Sequence, residues 1–295
     1  MKKLIQILAF ILKHPLAKKH PLRALYRFFS WQIIQSVFPH KRAVTLIGST
    51  RLYMRKGLSG ATGNHYTGLL EFSEMGFLLH SLREEDCFVD VGANVGVYTI
   101  LASGYCGAVT IAFEPVPSTY QWLQKNIKLN RLENNVVAYN QGVSSAAGML
   151  HFSIEYDTVN HVVSEERAGQ TTKVAVNTLE HFCSMHRIPI IMKIDVEGFE
   201  TEVINGLGQL LHDSQLKAII IELNGSGGRY GYDEAALHRR LLDAGFLPYS
   251  YDPLSRDLKH LDRIGPHNTI YIRDFSFIRE RIRSASTVKL FGEAF

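Results

Sequence analysis

From residue 86 onward, apolar runs of strand length alternate with stretches whose apolar residues recur at helical spacing. "CFVDVG" and "AVTIAFEP" read as buried strands, with the helix-forming "VGVYTILASGYCG" between them. After "EPVP", Ser118 and Gln121 form a capping-box signature, and Tyr120, Leu123 and Ile127 follow on one helix face. "NVVAYNQGV" is a third strand, and "GMLHFSIEY" and "TKVAVNTL" are more polar strands around the loop "DTVNHVVSEERAGQ". "IPIIMKIDVEG" and "LKAIIIELNG" are fourth and fifth buried strands, each followed by a helix, "FETEVINGLGQLLHD" and "YDEAALHRRLLDAGF". "FLPYSYD" and "NTIYIRD" close the pattern as paired edge strands. The alternation predicts an α/β fold: a doubly wound, Rossmann-like sheet, mostly parallel, with an antiparallel C-terminal hairpin.

The front of the chain has a different character. Residues 1–70 carry twelve Lys and Arg and no Asp or Glu, while the remainder carries 20 basic against 28 acidic residues. The apolar run Leu4 to Leu12, broken by Gln6, is too short to cross a bilayer. It is followed by Lys13, Lys18 and Lys19 rather than by a small-residue cleavage site, which argues against an export signal. Leu4, Leu8, Ile11 and Leu12 line one side of a helix, and Arg23 and Arg27 then alternate with Phe28, Phe29 and Trp31. A basic, aromatic-bearing helical pair over residues 1–42 suits peripheral contact with an anionic membrane. The competing reading is a helical arm packed on the body or on a second subunit of a homo-oligomer. No nucleic-acid module accompanies the charge, so nucleic acid is not expected as a partner.

These contrasts divide the chain into a basic amphipathic helical extension (1–45), a lead-in or lid segment (46–85), an α/β domain (86–275) and a C-terminal tail (276–295). With 46% hydrophobic residues the chain can bury one substantial core. Cys87, Cys106 and Cys183 are too few and too scattered for a disulfide framework or a zinc cluster, which points to a reducing, cytoplasmic setting. The basic front would add contact with the inner face of the membrane.

In doubly wound sheets ligands bind beyond the carboxyl ends of the strands. That rule gathers Asp90 to Gly96, Glu114, Asn140 to Val143, Asp195 to Gly198 and Glu222 to Gly225 on one rim. A dinucleotide site would need G-x-G-x-x-G, but here Gly92-Ala93-Asn94-Val95-Gly96 puts Asn94 where the central glycine belongs. Asp90, at the end of the strand, would repel a pyrophosphate and attract the α-ammonium of an amino acid. The pattern therefore favours S-adenosyl-L-methionine over NAD. Backbone N–H groups from Gly92 to Gly96 are expected to take the donor's carboxylate, and Asp90 its ammonium. Glu114, followed by Pro115, is placed to accept the ribose hydroxyls, and Asn140 and Gly142 to face the adenine.

At these residues the chain resembles the FkbM-type methyltransferases of the class I S-adenosylmethionine-dependent fold. The stretches that carry the resemblance are "FVDVGANVGVYT", "IAFEPVPSTYQWLQKNIKLN", "VNTLEHF", "IMKIDVEGFETEVINGL" and "IIIELN", over roughly residues 60 to 272. The resemblance implies O-methylation of a carbohydrate or secondary-metabolite hydroxyl, with a small molecule or glycan as acceptor. A hydroxyl is a poor nucleophile until it begins to lose its proton, so a positioned base is expected. Asp195 is the first candidate, as base or as the group orienting the acceptor; Glu197, Glu222 and His161 follow. Glu200 suits the N-terminus of a helix. His65 and Tyr66 lie on the segment expected to cover the rim. Asp195, Glu197 and Glu222 are compatible with magnesium or calcium, but their spacing specifies no metal, and none is expected. A NAD-dependent oxidoreductase or nucleotide-sugar enzyme, or a catalytically silent binding module of the same fold, remain alternatives. An RNA methyltransferase would carry an N-P-P-Y-like tetrad where "KIDVEG" stands.

Overall fold

The basic front folds into three helices, α1 (Lys2–Lys13), α2 (Pro15–Lys19) and α3 (Pro21–Val37). Pro15 and Pro21 sit in the first turns of α2 and α3, where a missing N–H costs nothing, and they divide the stretch into separate helices. This computed structural model describes residues 2–55, 57–154, 160–163 and 170–295; most of the polar loop predicted between residues 157 and 170 lies outside them. A hairpin, β1 (Arg42–Thr45) and β2 (Arg51–Met54), leads to α4 (Ser59–Thr67) and α5 (Phe72–Ser81).

The α/β body begins with β3 (Cys87–Val91). Next comes a short α6 (Val97–Thr99), which widens into a π-helical stretch over Ile100–Tyr105. β4 (Val109–Phe113), α7 (Pro117–Leu129) and β5 (Val136–Tyr139) follow. The strands β6 (Gly142–Val143), β7 (Gly148–Ser153), β8 (Val162–Val163) and β9 (Thr171–Asn177) form a separate four-stranded sheet in the order β6-β9-β7-β8. The chain then passes through α8 (Leu179–Ser184), β10 (Ile191–Ile194), α9 (Glu200–Asn205), β11 (Ala218–Glu222) and α10 (Glu234–Asp243). It closes with β12 (Leu247–Asp252), β13 (Asp257–His260), β14 (Asn268–Ile272), α11 (Phe275–Ser284) and a small hairpin, β15 (Lys289–Leu290) and β16 (Glu293–Ala294).

The main sheet has eight strands in the order β13-β12-β14-β11-β10-β3-β4-β5. Its five strands from β11 to β5 are parallel, and β14, β12 and β13 are antiparallel to their neighbours. The chain moves outward from β3 through β4 to β5 and returns to β10 on the other side of β3, so the strand order reverses between β3 and β10. A crevice opens at the carboxyl ends of such a pair. Successive residues of each strand face opposite cores: Phe88, Ile191 and Ile220 turn to one, Val89, Met192 and Ile219 to the other. Asp90, Lys193 and Glu222, two positions on from the first set, share its face.

Three local expectations need correction. β14 lies between β11 and β12 rather than at an edge, and Thr269 to Ile272 are buried as an interior strand requires; β13 is the edge. The third strand stops at Tyr139, and Gly142 and Val143 join the smaller sheet instead. Ser118 does not cap α7, which starts at Pro117 after Val116 with no side-chain cap.

The first core also takes in the N-terminal helices through Ile11, Leu16, Ala17, Ala24, Phe28 and Trp31. In α1 the inward face is Ile7, Leu8 and Ile11, while Leu4 and Leu12 stand exposed, unlike the predicted stripe. Phe28 meets the Tyr66 ring edge-on at 5.2 Å. The C-terminal hairpin clasps the same layer: Lys19 and His20 both reach Glu293 at 2.8 Å, and the Arg27 guanidinium lies over Phe291. Among the described residues no helix is long and apolar enough to cross a membrane. If α3 belongs to the cooperative core, Phe28→Ala lowers stability by about 3–5 kcal/mol in denaturant unfolding. A loss below about 1 kcal/mol would mean that the helix unfolds separately.

Candidate active site

The turn after β3 is built around Gly92, whose φ of 81° is left-handed and whose absent Cβ leaves room for the Asp195 carbonyl oxygen. Gly92 and Ala93 donate their N–H groups to Phe113 O, Asn94 donates to Glu114 Oε2, Val95 to Asn94 Oδ1, and Gly96 to Ala93 O. All five N–H groups from Gly92 to Gly96 are thus engaged within the protein. The glycine permits β3 and β10 to close on one another, so the turn holds the crevice in shape.

Asp90 is 1% exposed and accepts from Thr99 Oγ1 at 2.6 Å. Beside it, Lys193 is 2% exposed; its ammonium donates to Asp195 Oδ2 at 2.6 Å and lies 4.9 Å from the centre of the Tyr98 ring. Tyr98 in turn donates to Glu71 Oε2 at 2.5 Å. Burial opposes the charge on Lys193, but Asp195, Glu71 and Asp90 outweigh it and hold the group protonated. Oxygens of Asp195, Glu197 and Glu222 all lie within 4.8 Å of one another. Spacing along the chain did not indicate so tight a cluster, one able to share a cation or a proton. Burial pushes Glu197 up to about 7 and Glu222 up to about 8, with Asp195 the next cause in both. Glu222 Oε2 is buried and without a hydrogen-bond partner among the described residues. Glu197 adopts a left-handed φ of 56°, a strained conformation at the mouth of the crevice.

These groups line a cavity of about 470 Å³. One wall carries Asp90, Lys193, Asp195, Glu197 and Glu222; the facing wall carries Ile7, Phe10, Ile11, Tyr66, Leu70 and Met75. A smaller recess of about 50 Å³ shares Gly92, Asn94, Asp195 and Glu197 with it and reaches Glu114, Pro115, Thr119 and Asn160. An apolar slot of about 20 Å³ continues between Gly142, Phe152, Val162 and Phe199. Gly92 lines all three spaces.

The remaining candidates divide between the site and the frame around it. Asn140 donates Nδ2 to the carbonyls of Glu114 and Pro115 at 2.9 Å, tying the ends of β4 and β5 together. Glu114 accepts from Val116 and Asn94 N–H groups, and burial pushes it up to about 7. His161 is buried against Ser153 in the smaller sheet, and it is absent from the described residues lining these three spaces. Glu200 accepts from the N–H groups of Val196 and Gly198 and so shapes the turn rather than the cavity. Tyr66 lines the cavity, whereas His65 packs between Trp31 and Tyr66.

Lys193, Tyr98, Thr99 and Glu71 were not among the sequence candidates. The spacing of Lys193 two residues before Asp195 places both on one face of a strand and was a readable signal. The contacts to Glu71 and Tyr98 come from distant segments and were not.

Asp90, pushed up to about 6 by burial, joins Glu114, Glu197, Glu200 and Glu222 in a set of raised carboxyls. Each releases its proton at higher pH folded than unfolded, so its stabilising effect is complete in acid and lost as pH rises through the folded value. The buried histidines, depressed to about 4 at His65 and His80, act in the opposite sense but only below the ordinary histidine range. The thermal midpoint of the ligand-free protein is therefore expected to fall from about pH 7 to about pH 8.5, and less steeply in Glu222→Gln. A flat or rising midpoint in wild type would refute the raised carboxyls.

A family model described as the methyltransferase FkbM domain matches residues 90–248. The match excludes the lead-in that the motif resemblance took in from about residue 60. The chain is 30% identical to the hexuronic acid methyltransferase AglP of Haloferax volcanii over 149 residues, covering 50% of this chain and 59% of that protein. It is 27% identical to methyltransferase sdnD of Sordaria araneosa, covering 51% of this chain and 71% of that protein. The solved structure of methyltransferase FkbM from Methylobacillus flagellatus KT is 14% identical, with 72% of this chain and 52% of that chain covered and a TM-score of 0.45. The domain match spans more than half of the chain and contains the Gly92 turn, Lys193 and the carboxylates of β10 and β11: this chain belongs to the FkbM methyltransferase domain family.

Proposed function

We propose that the protein transfers a methyl group from S-adenosyl-L-methionine to a hydroxyl oxygen of a carbohydrate-bearing acceptor. The observation that carries this reading is the ring of carboxylates around one buried ammonium, at the point where strand order reverses. Asp90, Asp195, Glu197 and Glu222 outnumber Lys193, so the cavity favours a cationic ligand and disfavours a pyrophosphate. That weighs against NAD and against a phosphate-rich nucleic acid.

The residues fit the donor. Asp90, on the cavity wall, suits the α-ammonium, and Glu114, in the adjoining recess, suits the ribose; the slot at Gly142, Phe152 and Val162 has room for about one water, so adenine would have to part Phe152 and Val162 to enter it. Bound there, S-adenosylmethionine supplies an electrophilic methyl group on a sulfonium. Asp195 and Glu197 line both the donor recess and the larger cavity, so the acceptor hydroxyl has carboxylates beside it on entry. Lys193 holds Asp195 in one orientation, which suits Asp195 to positioning the hydroxyl. Glu222, raised to about 8 and with an unpartnered oxygen, suits the base. As the acceptor oxygen forms its bond to carbon and the sulfur–carbon bond breaks, the hydroxyl proton passes to Glu222. The carbohydrate class draws support from AglP, which is named for hexuronic acid. The free thiols Cys87, Cys106 and Cys183 accord with a reducing cytoplasm.

The test is transfer of labelled methyl from S-adenosylmethionine to a glycan fraction. Glu222→Gln is expected to lower kcat by about 10²–10⁴ while leaving donor affinity within about threefold. Asp195→Asn should likewise lower kcat more than it weakens the donor. Full activity in Glu222→Gln would remove it as the base, and loss of donor binding in Asp195→Asn would reassign that residue to the donor site.

A further inference from the structure

The helix α3 has two apolar stripes on opposite sides. Ala24, Phe28 and Trp31 pack into the core, whereas Leu22, Tyr26, Phe29, Ile33 and Val37 recur at helical spacing on the far side with 46% to 82% of their surface exposed. A helix laid on a protein needs one such stripe, so the second calls for an occupant. Phe38 and, on α1, Ile5 and Phe10 add further exposed apolar surface. Phe10 also lines the large cavity while 52% exposed, so this wall of the cavity reaches the outer surface.

We propose that this N-terminal layer docks on an anionic bilayer with the α1 side of the cavity against it, so that the acceptor is a lipid-borne saccharide presented from the membrane. The argument for a bilayer over a second copy of the chain is charge. The first 70 residues hold twelve cations and no anion; Lys19 is paired with Glu293 and Arg27 lies over Phe291, while Lys13, Lys18, Arg23, Lys41 and Arg42 stand exposed. Anionic headgroups complement that surface, whereas pairing two copies would oppose like charges. Ile7, Phe10 and Ile11 then give the carrier's hydrocarbon an apolar wall, facing the carboxylates that receive the sugar. The inference about the acceptor rests on the methyltransfer reading; the docking does not.

The full chain is sedimented with vesicles of phosphatidylcholine alone and with vesicles containing phosphatidylglycerol. Wild type is expected to pellet with the anionic vesicles, more weakly as salt rises, and the triple variant Leu22→Ser, Tyr26→Ser, Ile33→Ser to lose about tenfold or more in partitioning. The triple variant should still bind S-adenosylhomocysteine as wild type does, which shows that its fold is intact. No pelleting of wild type, or undiminished pelleting of the triple variant, overturns the docking. A dimer in ultracentrifugation that the triple variant abolishes, without vesicle binding, overturns it in favour of a second copy. A fluorophore on Phe10→Cys is expected to be quenched by lipids brominated in their acyl chains; a vesicle-bound protein without quenching overturns the orientation. Vesicle binding with no binding of S-adenosylhomocysteine would instead refute the methyltransfer reading and leave the docking standing.

Discussion

The ammonium of Lys193, buried between Asp90, Asp195 and Tyr98, is the interaction on which the rest of the site depends. A lone cation removed from water is costly, and so are the carboxylates that crowd around it. Each makes the other tolerable. The pairing fixes Asp195 at the carboxyl end of β10, next to the Gly92 turn of β3, where the strand order reverses. Burial first, and then the surplus of carboxylates over the one cation, makes Glu197 and Glu222 weaker acids that hold their protons to higher pH. A cationic donor entering the crevice would relieve that surplus, and the same imbalance leaves Glu222 able to take a proton near neutral pH.

The strands that build the crevice were legible because their cause is local. β3, β4, β10 and β11 are predominantly apolar runs, as an interior sheet position requires. Their ends therefore marked Asp90, Glu114, Asp195 and Glu222 without any structure. The position of β14 was not legible, since local periodicity says nothing of the order in which strands pair. The neighbour that requires a glycine at position 92 was not legible for a related reason. A glycine after a strand suggests close approach by something, and here that neighbour is the backbone at Asp195, more than a hundred residues away in the chain.

The N-terminal layer shows where patterning leaves a choice open. α1 is apolar on more than one side, so nothing in its sequence decides between Leu4 or Ile7 as the inward residue; packing against the first core makes that decision. α3 reads as basic and aromatic, yet its aromatic residues divide, Phe28 and Trp31 inward and Phe29 outward. The two readings of the front as a packed arm and as a surface helix are therefore not exclusive. One face of the layer completes the core and a wall of the cavity, and the other stays apolar and exposed.

The donor proposed for the crevice between β3 and β10 is S-adenosylmethionine rather than a dinucleotide. Calorimetric titration of the full chain with S-adenosylhomocysteine and, separately, with NAD tests it most directly. One saturable site for S-adenosylhomocysteine and no heat of binding for NAD are expected; saturable binding of NAD with none of S-adenosylhomocysteine would overturn the proposed donor.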